Sequence, residues 1–292
     1  MIIDFHTHTF PDQLAKRAIA KLSESAHIIN YLDGTAEDLK SSMQAAGIDY
    51  AVLLPVVTKP SQQEDINRAA ILTQEHFRET GILSFGGIHP DNEDYRHILR
   101  ELAGHGVRGV KLHPVFQETY FDDIRYLRII ECACEMGLIV LTHAGLDISF
   151  PNRTFVTPDR IHSVLKQLQP DKLVLAHMGG WGHWDQAEEL LAPFDVYLDT
   201  SFSLTPFRSG TGQEDAVSFK PMEHDQFLRM VNTFGAKRIL FGSDSPWADQ
   251  AETLSCIRNS GLSPDEVQDI LGNNAAKLLE IPISESYERS AF

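Results

Sequence analysis

Histidines are concentrated at the ends of short apolar segments in this 292-residue chain. Of its 13 histidines, five fall at or just beyond the carboxyl end of a predicted strand: His6, His8, His113, His143 and His177. His6 and His8 are two residues apart, so a strand period of two places both imidazoles on the same side. Imidazole nitrogens bind divalent transition metals. The spacing therefore predicts a metal site that begins with this His-x-His pair.

Two further residues can complete the coordination of a metal ion. His143 follows the fifth predicted strand and offers a nitrogen, and Asp244 follows the eighth and offers an oxygen. A lone His-x-His is a weak signal, because either histidine could be hydrogen-bonded in a core. Potential ligands at the ends of several strands are a stronger signal, since the carboxyl ends of barrel strands meet at one face.

The elements that must position these residues are short apolar runs alternating with amphipathic stretches. This alternation predicts a parallel sheet covered by helices. The eight predicted strands are Ile2–His6, Tyr50–Pro55, Leu83–Ile88, Gly109–Leu112, Ile139–Thr142, Leu173–Leu175, Val196–Asp199 and Ile239–Phe241. Eight strand-then-helix units favour a closed barrel over an open sheet. We predict an α/β fold with a single (β/α)8 TIM barrel over residues 1–292, ending in a frayed tail at Ser284–Phe292.

Two segments after strands are longer than a barrel requires. Ala144–Thr157 follows the fifth strand and Phe202–Pro221 the seventh. Loops after strands open on the face that carries barrel active sites, so both are predicted to form walls or a lid over a substrate. Arg153 and Arg208 lie in these loops and could hold an anionic substrate, although an exposed loop arginine is usually only solvated.

Charge and cysteine content restrict the partners and the compartment. The chain has 25 basic and 41 acidic residues and a net charge of −16, so its field would repel nucleic acids and anionic membranes. Its three cysteines form no even disulfide framework, which favours a reducing compartment. No secretory signal or membrane span is visible. We expect a cytoplasmic protein with a small-molecule substrate.

Motifs of other common chemistries are missing from the sequence. There is no Gly-x-x-x-x-Gly-Lys-Ser/Thr loop, no dinucleotide fingerprint after the first strand and no Gly-x-Ser-x-Gly elbow. These absences leave a metal-dependent reaction as the leading hypothesis.

At the level of motifs, the sequence resembles the amidohydrolase superfamily, and within it the amidohydrolase-2 branch related to aminocarboxymuconate-semialdehyde decarboxylase. The resemblance covers nearly the whole chain. It rests on Asp4-Phe5-His6-Thr7-His8, Gly109-Val110-Lys111-Leu112-His113-Pro114, Thr142-His143-Ala144-Gly145, Ala176-His177-Met178-Gly179-Gly180, Phe241-Gly242-Ser243-Asp244-Ser245-Pro246 and Gly272-Asn273-Asn274-Ala275-Ala276-Lys277-Leu278-Leu279.

The resemblance implies a ligand set and an acid–base pair. His6, His8, His143 and Asp244 match the family's metal ligands, usually for zinc, and His177 matches a strand-six histidine that faces the attacking water or the substrate. A bound ion of this kind lowers the pKa of water to about 7. Asp244 would take the proton of that water, and protonated His177 would stabilise an oxyanion or protonate the leaving group. A homo-oligomer is a further expectation from the resemblance.

Lys111 decides between one metal ion and two. In some branches of the superfamily, a strand-four lysine is carbamylated and bridges two metals, and Lys111, His143 and His177 could provide that set. The Lys-Leu-His-Pro form here resembles the branch with one metal and a free lysine, so we favour one ion. A free Lys111 would hold a substrate carboxylate or carbonyl, or else pair with an acidic residue inside the barrel.

Three residues at the barrel rim have two interpretations each. His113 shares the strand parity of Lys111, so it either faces the substrate or supports a ligand from behind. Trp181 and Trp247 follow the strand-six and strand-eight motifs directly. Each of them either lines the substrate pocket or covers the rim.

Three functions are compatible with this site. The first is hydrolysis of an amide, ester or lactone, and the second is non-oxidative decarboxylation of an aromatic or unsaturated carboxylic acid. Both use the same five residues, and the compact loops together with the Lys-Leu-His-Pro motif favour hydrolysis. The third is a barrel that binds a metal or ligand without turnover; it predicts a missing acid–base residue, whereas His177 and Asp244 are both present.

Overall fold

The computed structural model describes residues 1–209 and 220–282, and its strands lie close to the predicted ones. In chain order the strands are β1 (Ile3–Thr7), β2 (Ile28–Ile29), β3 (Tyr50–Leu53), β4 (Ile82–Ser84), β5 (Gly86–Gly87), β6 (Gly109–Leu112), β7 (Ile139–Thr142), β8 (Leu173–Leu175), β9 (Tyr197–Asp199), β10 (Arg208–Ser209) and β11 (Ile239–Leu240). All of them except β2 and β10 belong to the barrel wall.

Parallel pairing closes the wall. Hydrogen-bonded neighbours run in the orders β1-β3-β4 and β11-β9-β8-β7-β6-β5. The predicted third strand is split at Phe85 into β4, which pairs with β3, and β5, which pairs with β6. The amide of Phe5 donates to the carbonyl of Phe241 at 2.8 Å, which brings β1 against the end of β11. The predicted (β/α)8 barrel is confirmed.

Helices cover the outside of the wall. They are α1 (Asp12–Ala26), α2 (Ala36–Ala46), α3 (Gln63–Glu75), α4 (Phe77–Thr80), α5 (Tyr95–Gly104), α6 (Ile124–Glu135), α7 (Pro158–Leu168), α8 (Trp184–Leu191), α9 (His224–Phe234), α10 (Gln250–Arg258), α11 (Pro264–Gln268) and α12 (Asn274–Leu279). A π-helical turn, Asp269–Asn273, joins the last two, and 3-10 turns span Pro60–Gln62, His177–Gly179 and Ala236–Arg238.

The strands are buried on both faces, and this produces two apolar clusters. Leu141 and Val174 belong to a cluster inside the barrel, whereas their chain neighbours Val140 and Leu175 belong to a cluster that packs against the helices. This alternation follows from the period of two along a strand. Inside the barrel, polar side chains lie towards the carboxyl ends of the strands, because the space below them is filled with apolar groups.

A bulge in β1 changes the direction of its histidines. Asp4 pairs with Ala51 and Thr7 with Leu53, so three steps along β1 oppose two steps along β3. The side chain of Asp4 therefore bonds Gln250 of α10, outside the wall, while His6 turns into the barrel beside Lys111. A regular strand would have sent both side chains to the same face.

The segments beyond the strands form an additional ribbon at the barrel mouth. β2, which follows α1, pairs antiparallel with β10, which lies in the long segment after β9. Part of the predicted wall Phe202–Pro221 and the predicted tail Ser284–Phe292 lie outside the described residues. Among the described residues, the structure contains no helix long and apolar enough to cross a membrane.

Candidate metal centre and active site

Three predicted ligands meet at the mouth of the barrel. The Oδ1 atom of Asp244 lies 3.1 Å from Nε2 of His8 and 3.3 Å from Nε2 of His6. The two Nε2 atoms are 3.2 Å apart. His6 is 1% exposed and Asp244 is 8% exposed, so the group is shielded from bulk water. His6, His8 and Asp244 are thus close enough to bind one ion together.

Acceptors behind the histidine pair determine which ring nitrogen carries the proton. Nδ1 of His6 lies 2.8 Å from Oδ2 of Asp199, and Nδ1 of His8 lies 2.9 Å from the carbonyl oxygen of Leu54. Because a carbonyl only accepts, and Asp199 accepts as a carboxylate, the proton sits on Nδ1 in both rings. Both Nε2 lone pairs then face Asp244.

His143 and His177 form a second pair in which hydrogen-bond acceptors also determine which ring nitrogen carries the proton. Nε2 of His143 donates to the carbonyl of Leu146 at 3.0 Å, and Nδ1 of His177 donates to the carbonyl of Ser201 at 3.0 Å. The remaining nitrogens, Nδ1 of His143 and Nε2 of His177, are 3.0 Å apart. Two lone pairs at this distance repel each other unless a proton or a cation lies between or beside them.

The donor set therefore fits a divalent cation. The lone pairs of His6 and His8 face the Asp244 carboxylate, and those of His143 and His177 face each other. Hydrogen-bond acceptors outside them hold the four rings in the orientation that exposes those lone pairs. Such supporting acceptors are typical of metal-binding histidines. The structure brings His6, His8 and Asp244 into one group of potential ligands and places His143 beside His177 and in a second group, with His113 and Asp147.

Burial and charge keep these groups unprotonated at neutral pH. Burial holds the pKa of His6 and His143 well below the ordinary value and also lowers that of His177. Burial acts to raise the pKa of Asp244, whereas any proton held by the adjacent His6 or His8 acts to lower it, and the pKa is lowered overall. At neutral pH the three imidazoles are neutral and the carboxylate is charged.

The backbone at His177 and Asp244 is held in an uncommon conformation. Their φ angles are +57° and +69°, in the left-handed region that non-glycine residues seldom adopt. The amide of Asp244 donates to the carbonyl of His6 at 2.8 Å, and the amide of His177 donates to Oδ1 of Asp199 at 3.1 Å. Hydrogen bonds thus hold both turns in place. Uncommon backbone conformations that the surrounding structure maintains in this way are frequent at functional sites.

Lys111 lies inside the site. Its Nζ is 3.3 Å from Nε2 of His6, and the side chain is 1% exposed. Burial lowers its pKa to about 8, against the attraction of Asp199 and Asp244. Lys111 thus lies beside the candidate metal ligands, and its role in binding a substrate group stays a prediction.

The remaining predicted substrate-binding residues are dispersed. His113 is buried and stacks on His143, whereas the guanidinium of Arg153 bonds Glu118 at 2.9 Å at the rim. The other three surround the mouth. Arg208 is exposed, and its guanidinium lies over the Tyr31 ring. Trp181 is buried and its Nε1 donates to the carbonyl of Phe202, whereas Trp247 is partly buried and its amide donates to the carbonyl of Asp244.

Sequence reasoning missed three buried carboxylates. Asp199 supports His6, Asp147 lies 3.6 Å from His113, and Asp4 accepts bonds from the amide and hydroxyl of Ser243 and from the amide group of Gln250. Burial raises the pKa of Asp4 and of Asp147 to about 6. Asp199 ends a predicted strand, so the rule applied to the histidines would have found it. Asp147 is in a loop, where no pattern identifies it.

Fold and site together define a TIM-barrel protein with a candidate metal centre of histidines and an aspartate at the carboxyl ends of its strands. The Amidohydrolase family description matches residues 3–281. The chain belongs to this family, and it is an enzyme of the metal-dependent amidohydrolase superfamily. A comparison with curated proteins finds no match.

Solved structures with this fold include both decarboxylases and hydrolases. An uncharacterized TIM-barrel protein from Bordetella bronchiseptica is 20% identical, with a TM-score of 0.74 over 96% of this chain and 98% of that chain. A dihydroxybenzoic acid decarboxylase from a Polaromonas species, with bound manganese and the inhibitor 2-nitroresorcinol, is 16% identical, with a TM-score of 0.65 over 96% of this chain and 97% of that chain. A candidate 2-pyrone-4,6-dicarboxylic acid hydrolase from Pseudomonas putida is 19% identical, with a TM-score of 0.62 over 97% and 98%. At these identities the likeness shows a common fold.

Proposed function

We propose that this chain is a metal-dependent hydrolase that acts on an amide, ester or lactone of a small, carboxylate-bearing molecule. His6, His8 and Asp244 would hold one divalent ion, most simply zinc, with the inward lone pair of His143 as the fourth donor. When bound, such an ion supplies Lewis acidity that polarises a carbonyl group and lowers the pKa of water. The net charge of −16 is consistent with a small substrate and a cytoplasmic protein.

The orientation of His177 is the observation on which the choice of hydrolysis rests. Its Nδ1 proton is committed to the carbonyl of Ser201, so its Nε2 faces the site without a proton. Hydrolysis begins with the removal of a proton from water, and the site contains two acceptors for it, Nε2 of His177 and the carboxylate of Asp244. The protonated acceptor then returns the proton to the leaving group.

Lys111 contributes a positive charge to the same space. With a pKa of about 8, its amine is mostly an ammonium ion at pH 7. This charge attracts a substrate carboxylate or a carbonyl oxygen that gains negative charge during the reaction.

Decarboxylation is the second candidate, because a dihydroxybenzoic acid decarboxylase with bound manganese has the same fold. Replacing a carboxylate by hydrogen requires a proton donor beside the carbon atom. The resting site offers proton acceptors at His177 and Asp244 instead, so this reaction would need His177 to be protonated before each turnover. For this reason we favour hydrolysis.

Metal analysis tests the centre. We expect the purified chain to bind one equivalent of a divalent transition metal, and the double variant His6→Ala, His8→Ala to lose it. The variant His97→Gln removes an exposed histidine and serves as the control, which should bind metal like the wild type. Unchanged metal content in the double variant would exclude the proposed site.

A substrate screen tests the reaction. Lactones, amides and aromatic acids are incubated with the metal-loaded chain while both acid production and carbon dioxide release are recorded. Hydrolysis should fall by about 100-fold or more in His177→Gln, because one acid–base group is lost. Carbon dioxide release that depends on His177 would reject hydrolysis in favour of decarboxylation.

A further inference from the structure

We propose that Asp4 and Ser243 are positioning residues for Asp244, the aspartate of the candidate metal centre. They act from outside the barrel wall, by fixing the backbone turn that presents the Asp244 carboxylate to His6 and His8. This inference rests on the proposed function, because it takes Asp244 as a metal ligand.

Asp4 is fully buried, and its carboxylate accepts four hydrogen bonds. Oδ1 accepts the backbone amides of His6 at 3.2 Å and of Ser243 at 2.9 Å. Oδ2 accepts the hydroxyl of Ser243 at 2.6 Å and Nε2 of Gln250 at 2.7 Å. A carboxylate has about four acceptor sites, so these donors fill its bonding capacity. Asp4 therefore joins β1, the turn after β11 and the start of α10 at one point.

Ser243 extends the contact of Asp4 to both sides of Asp244. Its amide and its hydroxyl donate to Asp4, and its Oγ accepts the amide of Ser245 at 3.0 Å. The residues before and after Asp244 are thus tied to the same carboxylate, one directly and the other through a hydroxyl group.

The backbone conformation of Asp244 requires this support. Its φ angle is +69°, in the left-handed region, and a residue other than glycine stays there only when the surrounding interactions outweigh the cost. The amides of residues 243–245 each donate to an acceptor that holds the turn. In this turn, Oδ1 of Asp244 lies 3.1 Å from Nε2 of His8 and 3.3 Å from Nε2 of His6. A different turn would move the carboxylate away from the two histidines.

The orientation of Gln250 indicates that position 4 must supply an acceptor. Gln250 is 1% exposed; its Nε2 faces Asp4, while its Oε1 has no hydrogen-bond partner among the described residues. A buried carbonyl oxygen without a partner costs free energy, but turning the amide over would place two acceptors against each other. The carboxylate of Asp4 therefore decides how the Gln250 amide is turned.

Cobalt binding tests the proposal without requiring turnover. The full-length chain is stripped of metal and titrated with Co²⁺, whose visible absorption spectrum reports the geometry of its ligands. Asp4→Asn should weaken cobalt binding by about tenfold to 100-fold, the effect typical of losing a residue that supports a metal ligand, and should alter the spectrum. Chemical denaturation of the metal-free chains measures stability separately.

Asp4→Asn is suitable because the fold can adapt to it. The remaining oxygen can still accept the amides of His6 and Ser243, and Gln250 can turn over so that its Oε1 accepts from the new amide group. The Ser243 hydroxyl, however, loses its acceptor. The main effect should therefore fall on the turn that contains Asp244.

Ser243→Ala tests the hydroxyl alone. This variant keeps the backbone amide that bonds Asp4 but removes the hydroxyl that accepts from Ser245. We expect an altered cobalt spectrum and a loss of cobalt affinity of about tenfold, the lower end of the same range.

Two control variants separate positioning from a general loss of stability. Asp49→Asn changes a carboxylate that accepts the amide of Ile2 at the opposite end of β1. Ser260→Ala removes a buried hydroxyl that donates to the carbonyl of Ile257 at the end of α10. Both should bind cobalt with the wild-type affinity and spectrum, whatever stability they lose.

The outcomes distinguish this proposal from the proposed function. Wild-type affinity and spectrum in Asp4→Asn or in Ser243→Ala would overturn the role of the residue changed, and an equal loss in the controls would overturn both roles. Two variants that fail to fold with or without cobalt would also overturn the proposal, because the network would then serve the fold alone.

The wild-type chain supplies the remaining outcomes. A wild-type chain that binds no metal would reject the metal centre and this inference together. A chain whose cobalt affinity depends on Asp4 but that hydrolyses nothing would retain the positioning role and reject hydrolysis.

Discussion

The Oδ2 atom of Asp199 lies 2.8 Å from Nδ1 of His6, and the other oxygen of the same carboxylate accepts the backbone amide of His177 at 3.1 Å. One carboxylate at the end of β9 therefore orients a proposed metal ligand and a proposed acid–base residue together. The hydroxyl of Ser201 lies 3.0 Å from Nδ1 of both histidines and donates to Asp199. Ser201 and Asp199 therefore connect His6 to His177 through hydrogen bonds.

Asp199→Asn should weaken metal binding by about tenfold to 100-fold, the effect typical of losing a supporting carboxylate behind a histidine ligand. Metal affinity is measured by competition with a chelator of known affinity. Asp195→Asn changes an exposed carboxylate in the same region and should bind metal like the wild type. Equal affinities of the two variants would show that Asp199 does not orient His6.

Gly242→Ala should displace His6. A Cβ atom at position 242 would lie 2.8 Å from Cβ of His6, closer than real side chains approach. Overpacking of this kind costs about 1–3 kcal/mol of stability, and we also expect weaker metal binding. Gly104→Ala, where an added Cβ meets nothing within 4 Å, is the matched control. Chemical denaturation measures the stability of both variants, and metal titration measures their metal affinity. Equal stability and equal metal affinity of the two variants would contradict this prediction.

Lys111→Met distinguishes one metal ion from two. We expect one equivalent in the wild type and the same in the variant, because His6, His8 and Asp244 form their group without the lysine. Intact-mass measurement should show an unmodified wild-type chain. Two equivalents that fall to one in the variant, together with a mass excess of one carbon dioxide, would establish a bridging carbamate. Lys172→Met, whose amine bonds the carbonyl of Gly137 at the surface, is the control.

His89 should make folding stability depend on pH near neutrality. Burial lowers its pKa below the ordinary value, against the opposing attraction of Asp91. The unfolded chain then binds more protons than the folded one, so stability is present above a pH of about 6.5 and is lost as the pH falls through and below that value. In denaturation series at pH 5 and pH 8, His89→Gln should lose less stability on acidification than the exposed-residue variant His97→Gln. Parallel pH dependences would contradict this role of burial.

Local patterns were sufficient for much of the fold and for part of the site. Alternating apolar runs predicted all eight strand positions, and the histidines and Asp244 at strand ends predicted where a site would form. These patterns are local because side-chain direction repeats every two residues along a strand, and because the carboxyl ends of parallel strands necessarily share one face. The same rule, applied to carboxylates, would have selected Asp199, which ends β9.

Tertiary structure decided what no local pattern contains. The bulge in β1 turned His6 away from the face that Asp4 occupies, and it depends on pairing with β3. The protonation of each imidazole depends on acceptors distant in sequence, such as Leu54 behind His8 and Ser201 behind His177. Asp147 meets His113 only because two neighbouring strands bring their loops together. The sequence by itself therefore determined the barrel and the types of residues at its mouth, whereas chain packing decided which lone pairs and protons face one another, since hydrogen bonds between distant segments form only in the folded state.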